Sequence, residues 1–440
     1  MFRIGFLVLL LFQFSMMPQS ASAQVAGGTI SGTVTDARGG VIPNAEITIT
    51  NVETGIGRSA STNEVGRYIT PNLLPGRYDM KFRSPGFKTE VKTGIALTVG
   101  AEEVVDLTMQ VGASTETVQV TSEAPAIQLA TSDISAVVNA TTVRELPLNG
   151  RSWTDLATLQ PGVNAIQTQP TFAAGTDRGN RGFGQQLTIS GARPQQNNYR
   201  LDGVSINDYS NGAPGSVLGG NLGVDAIQEF SVLTSNYSAE YGKTSGGVIN
   251  AITRSGTNEI HGSVYEFLRN SALDARNFFD ADKIPPFKRN QFGGAVGGPI
   301  IENRTFFFAD YEGIRQSKGI TSFTTVPSVA ARSGSICSVP QGADPANPCT
   351  PTQVVVDPAA ASYFTFYHLP NGPVIGNGDV GVYTFPAQQL VNENFLTTRV
   401  DHKLSENDSL FGTYVFDRTP YSSPDGLNNV QFDTLTARQI

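Results

Sequence analysis

Residues 246–270, GGVINAITRSGTNEIHGSVYEFLRN, change character halfway. Val248, Ile249, Ala251 and Ile252 make a nearly continuous apolar run, the pattern of a strand covered on both faces. After a turn at residues 254–258 the pattern alternates. Tyr265 and Phe267 share one face, and Val264, Glu266 and Leu268 share the other. A period of two belongs to a strand with unlike surroundings on its two sides. The chain must therefore pass from a fully buried sheet into a half-wet one, and few architectures contain both.

The alternation recurs downstream. Residues 292–313 predict a hairpin about Glu302, Asn303 and Arg304, with Phe307, Ala309 and Tyr311 on one side. Residues 392–418 predict a second. There Leu396, Thr398 and Val400 face one way and Arg399, Asp401 and Lys403 the other. A turn at 405–408 follows, and Leu410, Gly412, Tyr414 and Phe416 resume the apolar face. A soluble sandwich and a barrel with a polar interior both produce this pattern, so alternation alone leaves the two open.

The N-terminus narrows the choice. Arg3 precedes an apolar run at residues 4–14, too short to span a bilayer, and Ala21-Ser22-Ala23 fits a small-x-small cleavage rule. The expectation is an exported chain cut after Ala23. No later stretch is long and apolar enough for a transmembrane helix, so a membrane span would have to be a β-barrel. Charged residues are 15% of the chain, below the usual share, and Gly numbers 46, which favours a β-rich fold. The formal charge of -8, with no basic patch, argues against nucleic acid as a partner. Cys337 and Cys349 flank a loop-like segment, and export permits a disulfide between them, two free thiols being the alternative.

Residues 24–112 read as a small β-sandwich. Ile47 and Ile49 alternate with Thr48 and Thr50, Tyr78, Met80 and Phe82 share a face, and Val105, Leu107, Met109 and Val111 alternate again. The stretch GTVTDARGGVIPNAEITITN with GRYITPNLLPGRYDMKFRSPGF resembles the carboxypeptidase regulatory-like domain, classed with starch-binding-like folds, although Asn44-Ala45 stands where the family usually has Gly-Ala. The peptidase reading fails on chemistry. His261, His368 and His402 are the only histidines, and none lies in an H-E-x-x-H pattern that could aim ligands at zinc. The fold class also suggests sugar binding, for which Tyr68, Tyr78, Phe82 and Phe87 are the candidate rings, although alternation explains Tyr78 and Phe82 as core.

Residues 113–124 read as an exposed linker with one extended patch, Glu116, Thr117, Val118, Gln119, Val120 and Thr121, a last strand of the sandwich being the alternative. Residues 125–256 mix helix and strand. Ser152 can cap a helix carrying Trp153, Leu156 and Leu159, stopped by Pro161-Gly162. Residues 185–208 predict two strands about a polar turn, and 224–236 a helical turn and then a strand.

These pieces resemble, in order, the plug domain of TonB-dependent outer-membrane receptors: LTISGARP, YRLDGVSIND, IQEFSVL, AEYG and SGGVINAITRSGTN. Residues carried by the motifs are Asp202, Gly203, Val204, Tyr241, Gly242, Gly246, Gly247 and Asn250. Many plugs have Ile-Glu-x-Ile-Glu-Val where this chain has Ile227-Gln228-Glu229-Phe230-Ser231-Val232. ELPLNGRSW at 145–153, with the sandwich in front, is similar to the Oar-like branch. The resemblance implies a mainly β chain: an N-terminal sandwich, an α/β plug, and from residue 257 to 440 the first strands of an antiparallel transmembrane barrel. Plugged transporters have about 22 strands of about 10 residues each, more than 257–440 can supply, so the expectation is the N-terminal part of a longer receptor.

The resemblance further implies import of an unidentified ligand, a glycan among the candidates, across the outer membrane. The energy-coupling partner would be TonB, with outer-membrane lipid around the wall and the sandwich in the periplasm. Residues 116–121 are the candidate TonB box, since an extended peptide can add a strand to a sheet edge with few side-chain demands. Residues 207–223 are a plausible plug apex loop, a flexible connector being the alternative. No cofactor, metal or catalytic residue is expected. The competing function is outer-membrane adhesion or assembly with the sandwich as the binding module.

Overall fold

The computed structural model describes residues 27–113, 117–121, 134–146, 148, 151, 153–168, 184–207, 223–242, 244–275, 284, 286–337, 351–375, 378–405, 408–424, 427 and 431–439. The export segment and its cleavage site, and residues 208–222 of the expected apex loop, lie outside these.

The first domain holds β1 (Gly28–Asp36), β2 (Glu46–Asn51), β3 (Gly57–Ser61), β4 (Arg67–Leu73), β5 (Gly76–Arg83), β6 (Thr89–Leu97), β7 (Glu102–Val104), β8 (Leu107–Met109) and β9 (Thr117–Thr121). One sheet runs β3-β2-β5-β6-β9, and the other runs β4-β1-β7 with β8 also on β1. Ile30 and Val34 from one sheet meet Ile47, Ile49, Met80 and Phe82 from the other in a single core. Tyr68 joins that core and its hydroxyl donates to the Val105 carbonyl at 2.6 Å. Three of the four rings offered as a sugar-binding face are thus buried, and Phe87 packs against the same core. They form no open aromatic surface. Val111 is exposed and ends the alternation one residue pair early.

The linker reading needs correction. Thr117–Thr121 is a strand of the sandwich, parallel to β6, with Thr89 opposite Thr117 and Thr93 opposite Thr121. Without it β6 would be an edge with unpaired backbone groups, and a Thr-Val-Gln-Val-Thr segment is well suited to extended pairing. Glu116 lies outside the described residues.

The second domain contains β10 (Ile134–Val138), α1 (Ala140–Glu145), β11 (Val163–Thr168), β12 (Gly184–Ile189), β13 (Asn198–Leu201), β14 (Val204–Ser205), β15 (Ile227–Ser235) and β16 (Val248–Thr253). Its main sheet runs β10-β15-β16-β13-β14. β16 is central and all six of its residues are buried, as the apolar run predicts. The segment Trp153–Leu159 is a 3-10 helix rather than an α-helix. Trp153 packs edge-on against Phe230, centroids 4.9 Å apart, while Leu159 is exposed. Ser152, the expected cap, is outside the described residues. β12 and β13 are two strands as expected but enter different sheets: β12 pairs with β11, and β13 runs parallel to β16. Gly247 permits this crossing, because a Cβ there would sit 2.4 Å from Ile189 Cγ2.

The third region holds β17 (His261–Asn270), β18 (Phe287–Ile301), β19 (Thr305–Pro327), β20 (Ser335–Ile336), β21 (Thr352–Gln353), β22 (Val374–Ile375), β23 (Val380–Lys403), β24 (Ser409–Pro424) and β25 (Gln431–Gln439). Among the described residues β17-β18-β19-β23-β24-β25 form one antiparallel sheet with two free edges. Both predicted hairpins are present, the first turning at Asn303 with φ 59°. The register aligns Gly298, Phe307, Val400 and Gly412 in one row of the outer face, then Val296, Ala309, Thr398 and Tyr414, then Gly294, Tyr311, Leu396 and Phe416. The next row, Phe292, Gly313, Asn394 and Arg418, begins the polar end. An apolar outer face that gives way to a polar row is the pattern of the lipid-facing belt of outer-membrane barrels. Val264 is 92% exposed on the same face, which answers which side of β17 looks outward.

Candidate functional site

The opposite face of the wall is polar and packs on the plug. Its centre is Arg399, whose side chain is 1% exposed. Nη2 donates to Asp401 Oδ1 at 2.8 Å, and Nη1 reaches Asp202 Oδ1 at 3.1 Å and Thr253 Oγ1 at 2.9 Å. Asp202 Oδ2 also accepts from Thr253 Oγ1 at 2.7 Å and Thr413 Oγ1 at 3.0 Å. Ser255 Oγ donates to Asp401 Oδ2 at 2.8 Å. Arg399 and Asp202 between them thus join a plug turn, the last plug strand and two wall strands. Local sequence sets this up. Asp202-Gly203 is the two-residue turn of the β13–β14 hairpin, with φ of 49° and 87°, a conformation that Asp-Gly adopts readily. The turn brings the Asp202 carboxylate to the wall.

A second cluster lies further along the same strands. Arg151 is ion-paired with Asp225, and its guanidinium lies 4.1 Å from the centroid of Tyr265. Asp225 Oδ1 accepts from Ser263 Oγ at 3.1 Å. The Tyr265 hydroxyl donates to Glu312 Oε2 at 2.5 Å, and Gln291 Nε2 donates to Glu312 Oε1 at 2.6 Å. Gly223 abuts this group so closely that a Cβ would lie 2.9 Å from Asp310 Oδ2. Buried charges survive only when paired and hydrogen-bonded, and breaking one partner is costly. Together the two clusters fix the plug to the wall at two heights.

The sandwich is seated on both. The Val99 N–H donates to Glu229 Oε1 of the plug at 2.5 Å, and Val99 packs on Ile252. Burial pushes the Glu229 carboxyl up to about 7, against the opposing effect of the Val99 N–H. Gln228 Nε2 donates to the Pro75 carbonyl at 3.3 Å. On the wall side, the Asn258 N–H donates to the Glu53 carbonyl at 3.1 Å, the Asn303 backbone N–H donates to Asn258 Oδ1 at 2.8 Å, and Asn258 Nδ2 donates to Asn303 Oδ1 at 2.9 Å. A cavity of about 750 Å³ lies where the three regions meet, lined by Asn51, Arg58, Tyr78, Asp202, Arg399 and His402 among others.

The motif residues fall into place by different physical routes. Gly246 passes so near Asn197 that a Cβ would be 2.5 Å from its Oδ1. Tyr241 is buried with the Arg200 guanidinium 5.1 Å from its ring centroid, and Gly242 closes the short helix that carries it. Asn250 is buried behind the Val99–Gly100 turn, and its amide has no partner among the described residues. Val204 pairs with Leu201 and is exposed toward the cavity. The residues 117–121 join none of these clusters, being held on the sandwich edge. Cys337 is disulfide-bonded, and Cys349, the other cysteine of the sequence, is outside the described residues. The histidines are dispersed: His261 on Glu259 and Thr257, His402 on Thr305, His368 stacked on Tyr383. Sequence reading placed Arg399 and Asp401 on one face but missed their link to Asp202, and missed Arg151–Asp225 and Val99–Glu229 altogether. Opposite charges were the available signal for the two ion pairs, and the Val99 backbone N–H offered none.

Comparison with known proteins agrees with this geometry. A family model for the carboxypeptidase regulatory-like domain matches residues 29–110, one for the TonB-dependent receptor plug domain matches 128–248, and one for an outer membrane beta barrel domain matches 252–439. The TonB-dependent transporter Oar of Myxococcus xanthus is 28% identical over 305 residues, covering 66% of this chain and 27% of that protein. A probable TonB-dependent siderophore receptor, PirA of Acinetobacter baumannii, is 30% identical over 176 residues, covering 38% of this chain and 21% of that one. The chain thus spans about a quarter of the length of these relatives. The solved outer membrane transporter YddB from Escherichia coli overlaps with a TM-score of 0.41 at 15% identity, over 66% of this chain and 34% of that one. A plug turn ion-paired to the wall, and a plug strand that leads directly into it, behind a regulatory-like sandwich, agree with these matches: the chain has the domain make-up of an Oar-like TonB-dependent outer-membrane receptor.

Proposed function

We propose that the chain serves TonB-coupled import of a ligand through a plugged outer-membrane barrel, with the sandwich in the periplasm after export and removal of residues 1–23. In this reading the wall's outer face meets lipid, the plug closes the lumen, and residues 116–121 are the handle that TonB takes. The observation that carries it is the contrast in attachment. The plug is held to the wall by the buried Arg399–Asp202 ion pair and by the contacts of Asp225 and Arg151 with Ser263 and Tyr265, whereas β9, lying between sandwich and plug in the sequence, is a five-residue edge strand with one side unpaired among the described residues. An edge strand offers TonB a backbone template. No catalytic role is assigned to any residue. A Cys337–Cys349 bridge would staple the outer end of the β19–β23 hairpin.

The test is deletion of residues 116–121 from the full chain, with capture of TonB's periplasmic domain as readout. Capture is lost if this segment is the handle. Undiminished capture contradicts the coupling role and shifts the reading to adhesion or assembly. That second reading draws on β19 and β23, which stay paired from Thr305–His402 to Pro327–Val380, far past the apolar band.

A further inference from the structure

The plug face of the wall changes sign along its length. Beside the plug it carries Asp310 and Glu312, which meet Gly223 and Tyr265. Two residue pairs further on it becomes basic. Arg269 stands directly opposite Arg289 in the β17–β18 ladder. Arg289 is opposite Gln316 and Phe287 is opposite Lys318 in the β18–β19 ladder. Strand alternation puts all of these on the same face as Glu312.

Like charges directly opposite in a sheet are destabilising. Arg289 and Arg269 act on Lys318 as like charges, and Arg269 acts so on Arg289. Among the described residues two carboxylates answer these cations. Asp274 pairs with Arg269 at 3.2 Å, and Glu393 attracts Arg289 from one row nearer the plug. Arg289 Nε donates to a neutral acceptor, Gln316 Oε1, at 2.8 Å. The Lys318 ammonium has no hydrogen-bond or ion-pair partner among the described residues. Phe287 lies under both guanidiniums, with centroid distances of 5.0 Å to Arg269 and 5.5 Å to Arg289, which holds the cations together. Crowded cations on an aromatic seat, just beyond the plug, are arranged for a negative charge from outside the chain.

We propose that Arg269, Arg289 and Lys318 form a site on the plug face for an oxyanion group of the imported ligand, a carboxylate or a phosphate. This rests on the import reading, in which that face lines the ligand's path. Guanidinium forks match both oxyanions in geometry, and a neutral sugar would gain little from three crowded cations. Lipid phosphates are the rival source of the same chemistry. They reach the outer face, where alternation places the exposed Lys288 instead.

The test is calorimetric titration of the full chain, in micelles of a neutral detergent, with citrate and with pyrophosphate at low ionic strength. Saturable binding of either probe is expected, and the tighter of the two names the oxyanion. Arg289→Gln with Lys318→Gln should weaken it by at least about tenfold, while Arg289→Lys, which keeps the charge and loses the fork, weakens it less than the double variant does and Lys288→Gln leaves it unchanged. The last two variants separate loss of charge from loss of fold. No binding at millimolar concentration, binding unchanged in the double variant, or binding lost in Lys288→Gln would each overturn the proposal. No TonB enters this titration. Failure here leaves the handle experiment standing, and failure of the handle leaves anion binding to be read on its own.

Discussion

The sandwich and the wall are built from the same alternating strands with opposite sense. In the sandwich, inward residues are Ile47, Ile49, Met80 and Phe82, and they close on one another as an apolar core. In the wall, the face packed on the plug carries Asp310, Glu312, Arg399 and Asp401, while Val264, Val400 and Tyr414 point out. A period of two reports only that two environments differ. Which one is apolar depends on what lies beyond the strand: a second sheet in one case and, on the proposed reading, lipid in the other.

Several substitutions break or sharpen that contrast. The largest effects come from the inward faces. Arg399→Ala leaves Asp202 and Asp401 buried without their counter-charge, and should cost about 3–5 kcal/mol. Faster proteolysis of the plug within an otherwise intact chain would register it. Phe82→Ala empties the sandwich core at about the same cost, about 3–5 kcal/mol, and denaturant titration should show the loss confined to the sandwich transition.

The outward faces then separate the two regions. Val400 and Ile69 are both exposed apolar residues on strands. If lipid surrounds it, as proposed, Val400→Arg should cost about 2–4 kcal/mol. Ile69→Arg, on the sandwich surface, should stay within about 0.5 kcal/mol. Folding assays in lipid vesicles compare them directly, and equal costs would refute the assignment of the outer face.

A smaller effect belongs to the contact between sandwich and plug. The Glu229 carboxyl is raised to about 7 by burial, above the ordinary carboxylate value. The seated form therefore binds a proton more readily than an unseated one. Seating is strongest below the ordinary carboxylate value and is progressively lost as pH rises through about 7. Hydrogen exchange at the Val99 amide should quicken between about pH 6 and pH 8 beyond its intrinsic increase, and Glu229→Gln should remove that excess.

Much of this architecture was legible in the sequence because backbone constraints are local. The close-packed Gly246-Gly247 pair, the buried β16 and both wall hairpins each follow from a few adjacent residues, whereas the Asp202-Gly203 turn lay inside what read as a single strand. What stayed hidden depends on distant pairs. Arg399 reaches Asp202 across 197 positions and Val99 reaches Glu229 across 130, and nothing in a local pattern couples them. The β9 strand was misread as linker for a related reason. Its residues carry little bulk, and only the free edge of β6 makes a strand of them. Tyr68 was offered to a ligand because a tyrosine on a strand looks the same whether its hydroxyl meets solvent or the Val105 carbonyl.

The inside-out wall is the central claim, and spin labels placed one at a time at residues 396–401, in outer-membrane vesicles, test it most directly. Collision with oxygen and with a water-soluble nickel complex reports lipid and water respectively. The structure predicts that Leu396, Thr398 and Val400 are reached by oxygen and not by nickel, while Thr397, Arg399 and Asp401 are shielded from both by the plug. Nickel access at Leu396, Thr398 and Val400 would put that face in water and contradict the account.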